Sequence, residues 1–262
     1  MRVLVKLGGT LLDSPELRQS LAAQIARATE TGNEIVVVHG GGKQMTRFLT
    51  ERGVESRFVN GLRVTTPEIL DAVLKVFAGS VNHELVSAFN QAGALAVGLS
   101  GIDAGLVEAV QMDPALGAVG RVVQCHGDLL KLLAGRGYLP VVACVAGDRQ
   151  GNVYNVNADQ MAVACAAGFG AEHLIFLTDV EGVLDQSKRV RPLLSLAESE
   201  RLIADGIATG GMQAKLNAAS SALRQGIAQV QIAPGAAEGI VSKLLAGEPV
   251  GTRLLAMEAH SV

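Results

Sequence analysis

The chain has 262 residues, enough for one or two α/β domains around a buried core. Hydrophobic residues make up 49% of it but aromatic residues only 3%, with no Trp, so the core must be built from Val, Leu, Ile and Ala, the palette of parallel strands covered by helices on both faces. Its net charge of −3, from 22 basic and 25 acidic residues, excludes a nucleic-acid surface built on basic excess, while a small anionic ligand would need only two or three local cations.

In chain order, short apolar runs over residues 3–7, 35–39, 95–99, 139–143, 174–178 and 230–232 read as strands, each followed by a glycine turn or a polar helix start. Residues 15–31 carry Leu17, Leu21, Ile25 and Ala28 on one helical face. Thr66-Pro67-Glu68 starts a long helix running to about residue 92, with Thr as N-cap and Pro at the first helical position. Strands alternating with helices predict βαβ units and a mostly parallel sheet. Residues 106–125 interrupt the alternation as a β-ribbon turning through Asp113-Pro114 and Gly117. The Gly147, Asp148 and Gly151 cluster marks a crease, dividing the chain into halves at 1–150 and 151–262.

Cys125, Cys144 and Cys165 are odd in number and lack zinc spacing, so they read as reduced core residues and no metal site is predicted. Arg2 and Lys6 break the N-terminal apolar stretch, which therefore lacks a signal-peptide core. No apolar run approaches the roughly 20 residues that cross a bilayer. The expectation is a cytoplasmic protein with no membrane or nucleic-acid partner.

Two strands end in glycines. Lys6-Leu7-Gly8-Gly9 places an ammonium beside a turn whose backbone N–H groups can surround a phosphate; the alternative is a strand-end lysine reaching water. His39-Gly40-Gly41-Gly42 repeats the design. It fails as a Walker A loop because Gln44 follows Lys43, as a dinucleotide fingerprint because no glycine stands at 44 or 45, and as an esterase loop because no GxSxG exists. An anion cradle of N–H groups remains.

Arg63, in the loop Asn60-Gly61-Leu62-Arg63, suits bidentate carboxylate recognition, although a lone loop arginine is more often a solvated charge. Asn155 and Asn157 alternate along an extended segment, with Asp159 near the next helix start, where an N-cap with polar flanks is the bland reading. Residues 174–183 form a buried strand ending in Asp179, Glu181 and Gly182, where open α/β sheets bind ligands. Thr209-Gly210-Gly211 opens a helix carrying Lys215, a position that favours a bound anion.

Taken in order, Lys6 to Gly9, His39 to Gly42, Asn60 to Thr65, Gly98 to Gly101 with Asp103, Gly137 to Val142, Tyr154 to Asp159, Thr178 to Leu184, and Thr209 to Met212 with Lys215 resemble the acetylglutamate kinases of the amino-acid kinase family, across nearly the whole chain. The resemblance implies a three-layer αβα sandwich with a mostly parallel open sheet and an inserted β-ribbon lid. The acylamino acid and dimer contacts would belong to the first half and ATP to the second. Lys6 and Lys215 would flank the transferred phosphoryl group and Asp159 would orient both. Gly8 and Gly9 would contact phosphate, and Gly41, Gly42, Arg63 and Asn155 would bind the acylglutamate. Asp179, Val180, Glu181, Gly182, Val183 and Leu184, with Ile207, Ala208 and Thr209, would face the nucleotide.

The implied reaction is ATP-dependent phosphorylation of the γ-carboxylate of N-acetyl-L-glutamate in arginine biosynthesis. Mg²⁺ would be carried mainly on the nucleotide phosphates, and no histidine is needed as a base. Lys43 and Ile102 depart from the residues usual in the family at those positions and bear on the acyl group. The first strand begins almost at Met1, which by the same resemblance implies a feedback-insensitive homodimer, the helix over 66–92 supplying its contact. Two other readings stay open: a kinase for carrier-bound aminoadipate or glutamate in lysine biosynthesis, and a non-catalytic amino-acid or nucleotide sensor.

Overall fold

A run of Val and Leu broken by one lysine forms β1 (Arg2–Leu7), and the computed structural model, which describes residues 1–256, sets this strand inside the central sheet. After it come α1 (Pro15–Glu30), capped by Ser14, then β2 (Glu34–His39) and α2 (Gly42–Thr50). A small hairpin, β3 (Phe58–Val59) and β4 (Leu62–Arg63), leads to α3 (Pro67–Val73), a π-helical stretch (Leu74–Val81) and α4 (Asn82–Gln91). The middle of the chain holds β5 (Leu95–Ser100), β6 (Val107–Gln111), β7 (Val119–Cys125), α5 (Asp128–Gly135), β8 (Tyr138–Ala143), β9 (Val145–Gly147) and β10 (Val153–Val156). The remainder comprises α6 (Ala158–Phe169), β11 (His173–Thr178), β12 (Leu193–Ser195), α7 (Leu196–Ala204), α8 (Gly210–Arg224), β13 (Gln229–Pro234), α9 (Ile240–Leu245) and β14 (Thr252–Leu255).

The sheet order is β12-β14-β13-β11-β1-β2-β8-β5, parallel from β13 to β5, with β14 antiparallel to β13. Helices α9, α1 and α4 cover one face, and α8, α6 and α5 the other, giving three layers. Because the six strands run the same way, their carboxyl ends, and with them the turns after Leu7, His39, Ala143 and Thr178, share one edge of the sheet, where such folds bind ligands. The core between the layers is Val, Leu, Ile and Ala, with Phe89, Phe169 and Phe176 as its fully buried aromatics. Each fully buried Val, Leu or Ile contributes about 1.5–3 kcal/mol.

Three sequence expectations change in detail. The Asn60-Gly61 segment is a hairpin turn, with φ of 50° and 78° at its two central residues, the paired left-handed geometry that Asn-Gly favours. The ribbon over 106–125 forms, but it does not hang over the sheet alone. Its strands close with β9 and β10 into a four-stranded barrel, so it is a fixed wall. The long helix after Thr66 loosens to π-helix at its centre, a feature frequent at functional sites. Among the described residues no helix is long and apolar enough to cross a membrane.

Candidate active site

Gly8 and Gly9 leave β1 as a single 3₁₀ turn, and the Gly8 N–H is taken by Leu177 O at 2.9 Å. A Cβ on Gly8 would lie 3.0 Å from that same carbonyl, which leaves little room for any side chain. Gly9 faces the second turn: a Cβ there would sit 3.5 Å from Gly42 N and 3.9 Å from Gly41 N. The two glycine turns thus confront each other across a narrow gap. Gln44 ties them together, donating to Gly9 O at 3.3 Å and to Asp13 at 2.8 Å. Gly41 is the N-cap of α2, so its N–H and those of the first turn have no helical acceptor and present partial positive charge to the gap. A Cβ on Gly41 would collide with the Phe77 ring at 2.8 Å, so only glycine lets the helix stretch pack on this loop.

Beside the gap stands a cation pair. Lys6 lies in β1 between Val38 and Phe176 of its neighbours, and its ammonium reaches Asp159 Oδ1 at 2.7 Å. Asp159 sits in the first turn of α6, and its other oxygen lies 3.9 Å from Lys215 Nζ. Lys6 and Asp159 are buried and Lys215 nearly so, its side chain 18% exposed. Burial lowers the Lys215 pKa from its ordinary value; Asp159 pulls it back up, while Lys6 pushes it further down. One carboxylate therefore holds two ammonium groups that would otherwise repel each other, and the pair retains net positive charge for an anion.

On the other side of the turns lies a cavity of about 160 Å³. Gly41, Gly42, Arg63 and Asn155 all line it, with Phe58, Phe77 and Val119 as apolar walls. Arg63 is buried rather than solvated: it donates to Gly42 O at 3.2 Å, to Thr46 Oγ1 at 2.8 Å and to Ser56, and its guanidinium lies over the Phe58 ring at 4.6 Å. Asn155 donates to Thr65 Oγ1 at 3.0 Å. Asn157 instead caps α6, accepting from Asp159 N and Gln160 N.

The expected nucleotide residues start at the carboxyl end of β11, on the Lys215 side. Burial alone would raise the Asp179 pKa, but hydrogen bonds from Thr10 and Thr178 and the charge of Lys215 hold it below the usual value. Asp179, Val180, Glu181, Leu184 and Thr209 are exposed and Ile207 half-buried. Val183 and Ala208 turn into the core, Val183 donating its N–H to Thr252. All three cysteines are free, Cys144 and Cys165 buried and Cys125 half-buried.

Several residues of the site escaped the sequence reading. Phe77 closes on Gly41, and Asn82 forms a buried polar pair with His39, the motif residue that the sequence left without a role, behind the second glycine turn. Asn82, followed by His83 and Glu84 in a helix of mixed polarity, gave no distinguishing signal, and neither did Phe77.

A model of the amino acid kinase family matches residues 1–234. Acetylglutamate kinase of Solibacter usitatus (strain Ellin6076) is 70% identical over 255 residues, 97% of this chain and 99% of that protein. Acetylglutamate kinase of Geobacillus kaustophilus (strain HTA426) is 45% identical over 89% of this chain and 90% of that one. Of solved structures, N-acetylglutamate synthase of Neisseria gonorrhoeae, complexed with coenzyme A and N-acetyl-glutamate, matches with a TM-score of 0.86 at 24% identity, over 98% of this chain and 59% of that longer one. Carbamate kinase of Giardia lamblia bound to AMP-PNP matches at 0.73 and 18% identity, over 98% of each chain. At such identities these structures establish the fold alone.

Proposed function

The chain belongs to the amino acid kinase family, and from that footing we propose that it transfers the γ-phosphoryl group of ATP to the γ-carboxylate of N-acetyl-L-glutamate, the step its relatives' name describes. The observation that carries this reading is the Lys6–Asp159–Lys215 constellation standing beside two confronted glycine turns. Transfer between two anions needs positioning and neutralisation of charge more than it needs a base. The substrate carboxylate is already a nucleophile, so it attacks phosphorus in line and ADP leaves with the bridging oxygen.

In this scheme Lys6 and Lys215 stabilise charge on the phosphoryl oxygens, and Asp159 keeps both ammonium groups at a fixed spacing. Gly9, Gly41 and Gly42 allow backbone N–H groups to approach the moving group, while Gly8, whose own N–H is taken by Leu177 O, allows the close turn. Arg63, braced by Gly42 O, Thr46 and Ser56, meets a substrate carboxylate, and Asn155 the amide end. The segments 179–184 and 207–209 bound the nucleotide. Among the described residues no group of three or more acidic, His or Cys side chains could hold a metal. Mg²⁺ would ride on the ATP phosphates, where it offsets their charge.

The acyl group is acetyl and the acid free rather than carrier-bound, as the relatives' names indicate, and the product serves arginine biosynthesis. We place the enzyme in the cytoplasm as a homodimer. Three free thiols suit a reducing compartment, and the open edge strand β5, Leu95–Ser100 without a charged side chain, is the kind of edge a second copy covers. A coupled ADP-release assay with N-acetyl-, N-succinyl- and carrier-bound substrates tests the reading. Turnover of N-acetyl-L-glutamate is expected; turnover confined to a carrier-bound acid, or nucleotide binding with no turnover, would overturn it.

A further inference from the structure

The second glycine turn is held from behind by a buried histidine that touches neither cavity nor solvent. His39 is fully buried at the end of β2. Its Nδ1 lies 2.8 Å from Gly40 O, its Nε2 lies 3.0 Å from Asn82 Nδ2, and its backbone carbonyl accepts the Cys144 thiol. The Asn82 amide nitrogen also donates to Val141 O at 2.9 Å, a carbonyl that can only accept. That fixes the orientation of the Asn82 amide, because its oxygen in the same place would face an acceptor. An amide nitrogen has no lone pair to offer, so His39 Nε2 is an acceptor and the proton sits on Nδ1, donated to Gly40 O.

The consequence reaches the site through one peptide plane. No cis peptide bond occurs in the described chain, so the Gly40 carbonyl and the Gly41 N–H, which share a peptide, point in opposite directions. Drawing Gly40 O back onto His39 turns the Gly41 N–H outward, toward the side on which a Cβ added to Gly9 would lie 3.9 Å from that nitrogen. Glycine has little preference of its own to hold this orientation. Gly98 makes room for the brace: a Cβ there would lie 2.2 Å from Asn82 Oδ1.

We propose that His39, locked by Asn82 as the neutral Nδ1–H tautomer, is a positioning residue that aims the Gly41 N–H into the gap between the glycine turns. It touches no substrate and transfers no proton. The kinetic half of this proposal rests on the kinase reading above; the tautomer does not.

The test has two parts. Nitrogen NMR of the wild-type protein labelled at its histidines, at neutral pH without substrate, should show His39 protonated on Nδ1 alone. A proton on Nε2, or an imidazolium, would overturn the proposal whether or not the enzyme turns over. Kinetics then compare His39→Leu, which loses both bonds, with His39→Asn, whose amide can still donate to Gly40 O. His39→Leu should lose roughly tenfold to a hundredfold in kcat/KM for the acyl substrate, and His39→Asn should recover most of it at a similar Tm. Full activity in folded His39→Leu, or no recovery in His39→Asn at matched stability, would contradict the assignment. If neither variant folds, the tautomer decides. A failed kinase reading would show as absent ADP release with the tautomer intact.

Discussion

Lys6 and Asp159 form an ion pair of 2.7 Å in which neither side chain is more than a tenth exposed, and Lys215 shares the same carboxylate from 3.9 Å. A buried pair of this kind is weak as a device for stability, since desolvation offsets much of its attraction. Its worth lies in holding two cations at one point. Removing the carboxylate leaves Lys6 buried without a counter-charge, so Asp159→Asn should lose about 3 kcal/mol of unfolding free energy. Urea unfolding checks this, and a loss below about 0.5 kcal/mol, the scale of an ordinary surface change, would contradict it.

The Lys215 pKa gives a pH signature. Burial lowers it and Asp159 restores part of it, so the charged form is lost as pH rises through a value below the ordinary one for lysine. The alkaline limb of kcat should follow that loss. In Asp159→Asn the restoring charge is gone, and the limb should move to lower pH. A limb that stays in place, or moves up, would remove Lys215 from the rate profile.

Two glycines separate function from folding. A methyl on Gly9 meets only ordinary contacts, 3.5 Å at the closest, yet fills the gap between the turns. Gly9→Ala should therefore keep the wild-type Tm within about 2 °C, roughly what a small surface change causes, and lose roughly a hundredfold or more in kcat. Gly98→Ala would press on Asn82 at 2.2 Å and should lower Tm by several degrees. Thermal melts beside turnover decide; the opposite pattern would misplace the gap.

His39 also links pH to stability. Burial depresses its pKa from 6.5 to about 4 in the folded protein. The unfolded chain binds the proton first, so stability that is full above pH 6.5 should fall as pH drops toward about 4, by about 3 kcal/mol for this group. His173 is depressed in the same direction, so the informative quantity is the difference between wild type and His39→Asn. Parallel curves for the two proteins across this window would refute the link.

The strands over residues 3–7 and 35–39 were legible because a buried parallel strand is a nearly unbroken apolar run, and the single lysine in the first announced its anionic partner. The glycine turns were legible because few other residues permit such close approach. Asn60-Gly61 carried a hairpin signal that reads as a loop only when its short flanking strands are overlooked. The barrel was not legible: β6 and β7 pair locally, but their closure by β9 and β10 is a long-range event that no local pattern encodes. Nor does sequence reveal that Val183 and Ala208 turn inward while Asp179 and Thr209 stay exposed, because side-chain direction in an irregular loop follows packing.

In the proposed function two lysines held by one carboxylate drive phosphoryl transfer to a carboxylate. The most direct test of this incubates the protein with Mg-ATP, N-acetyl-L-glutamate and hydroxylamine, which traps an acyl phosphate as hydroxamate, and measures ADP and hydroxamate together in wild type and Lys215→Ala. Wild type should release equal amounts of both products. Lys215→Ala should fall roughly a thousandfold in both while ATP still binds. ADP without hydroxamate, or a Lys215→Ala variant within tenfold of wild type, would contradict the proposed function.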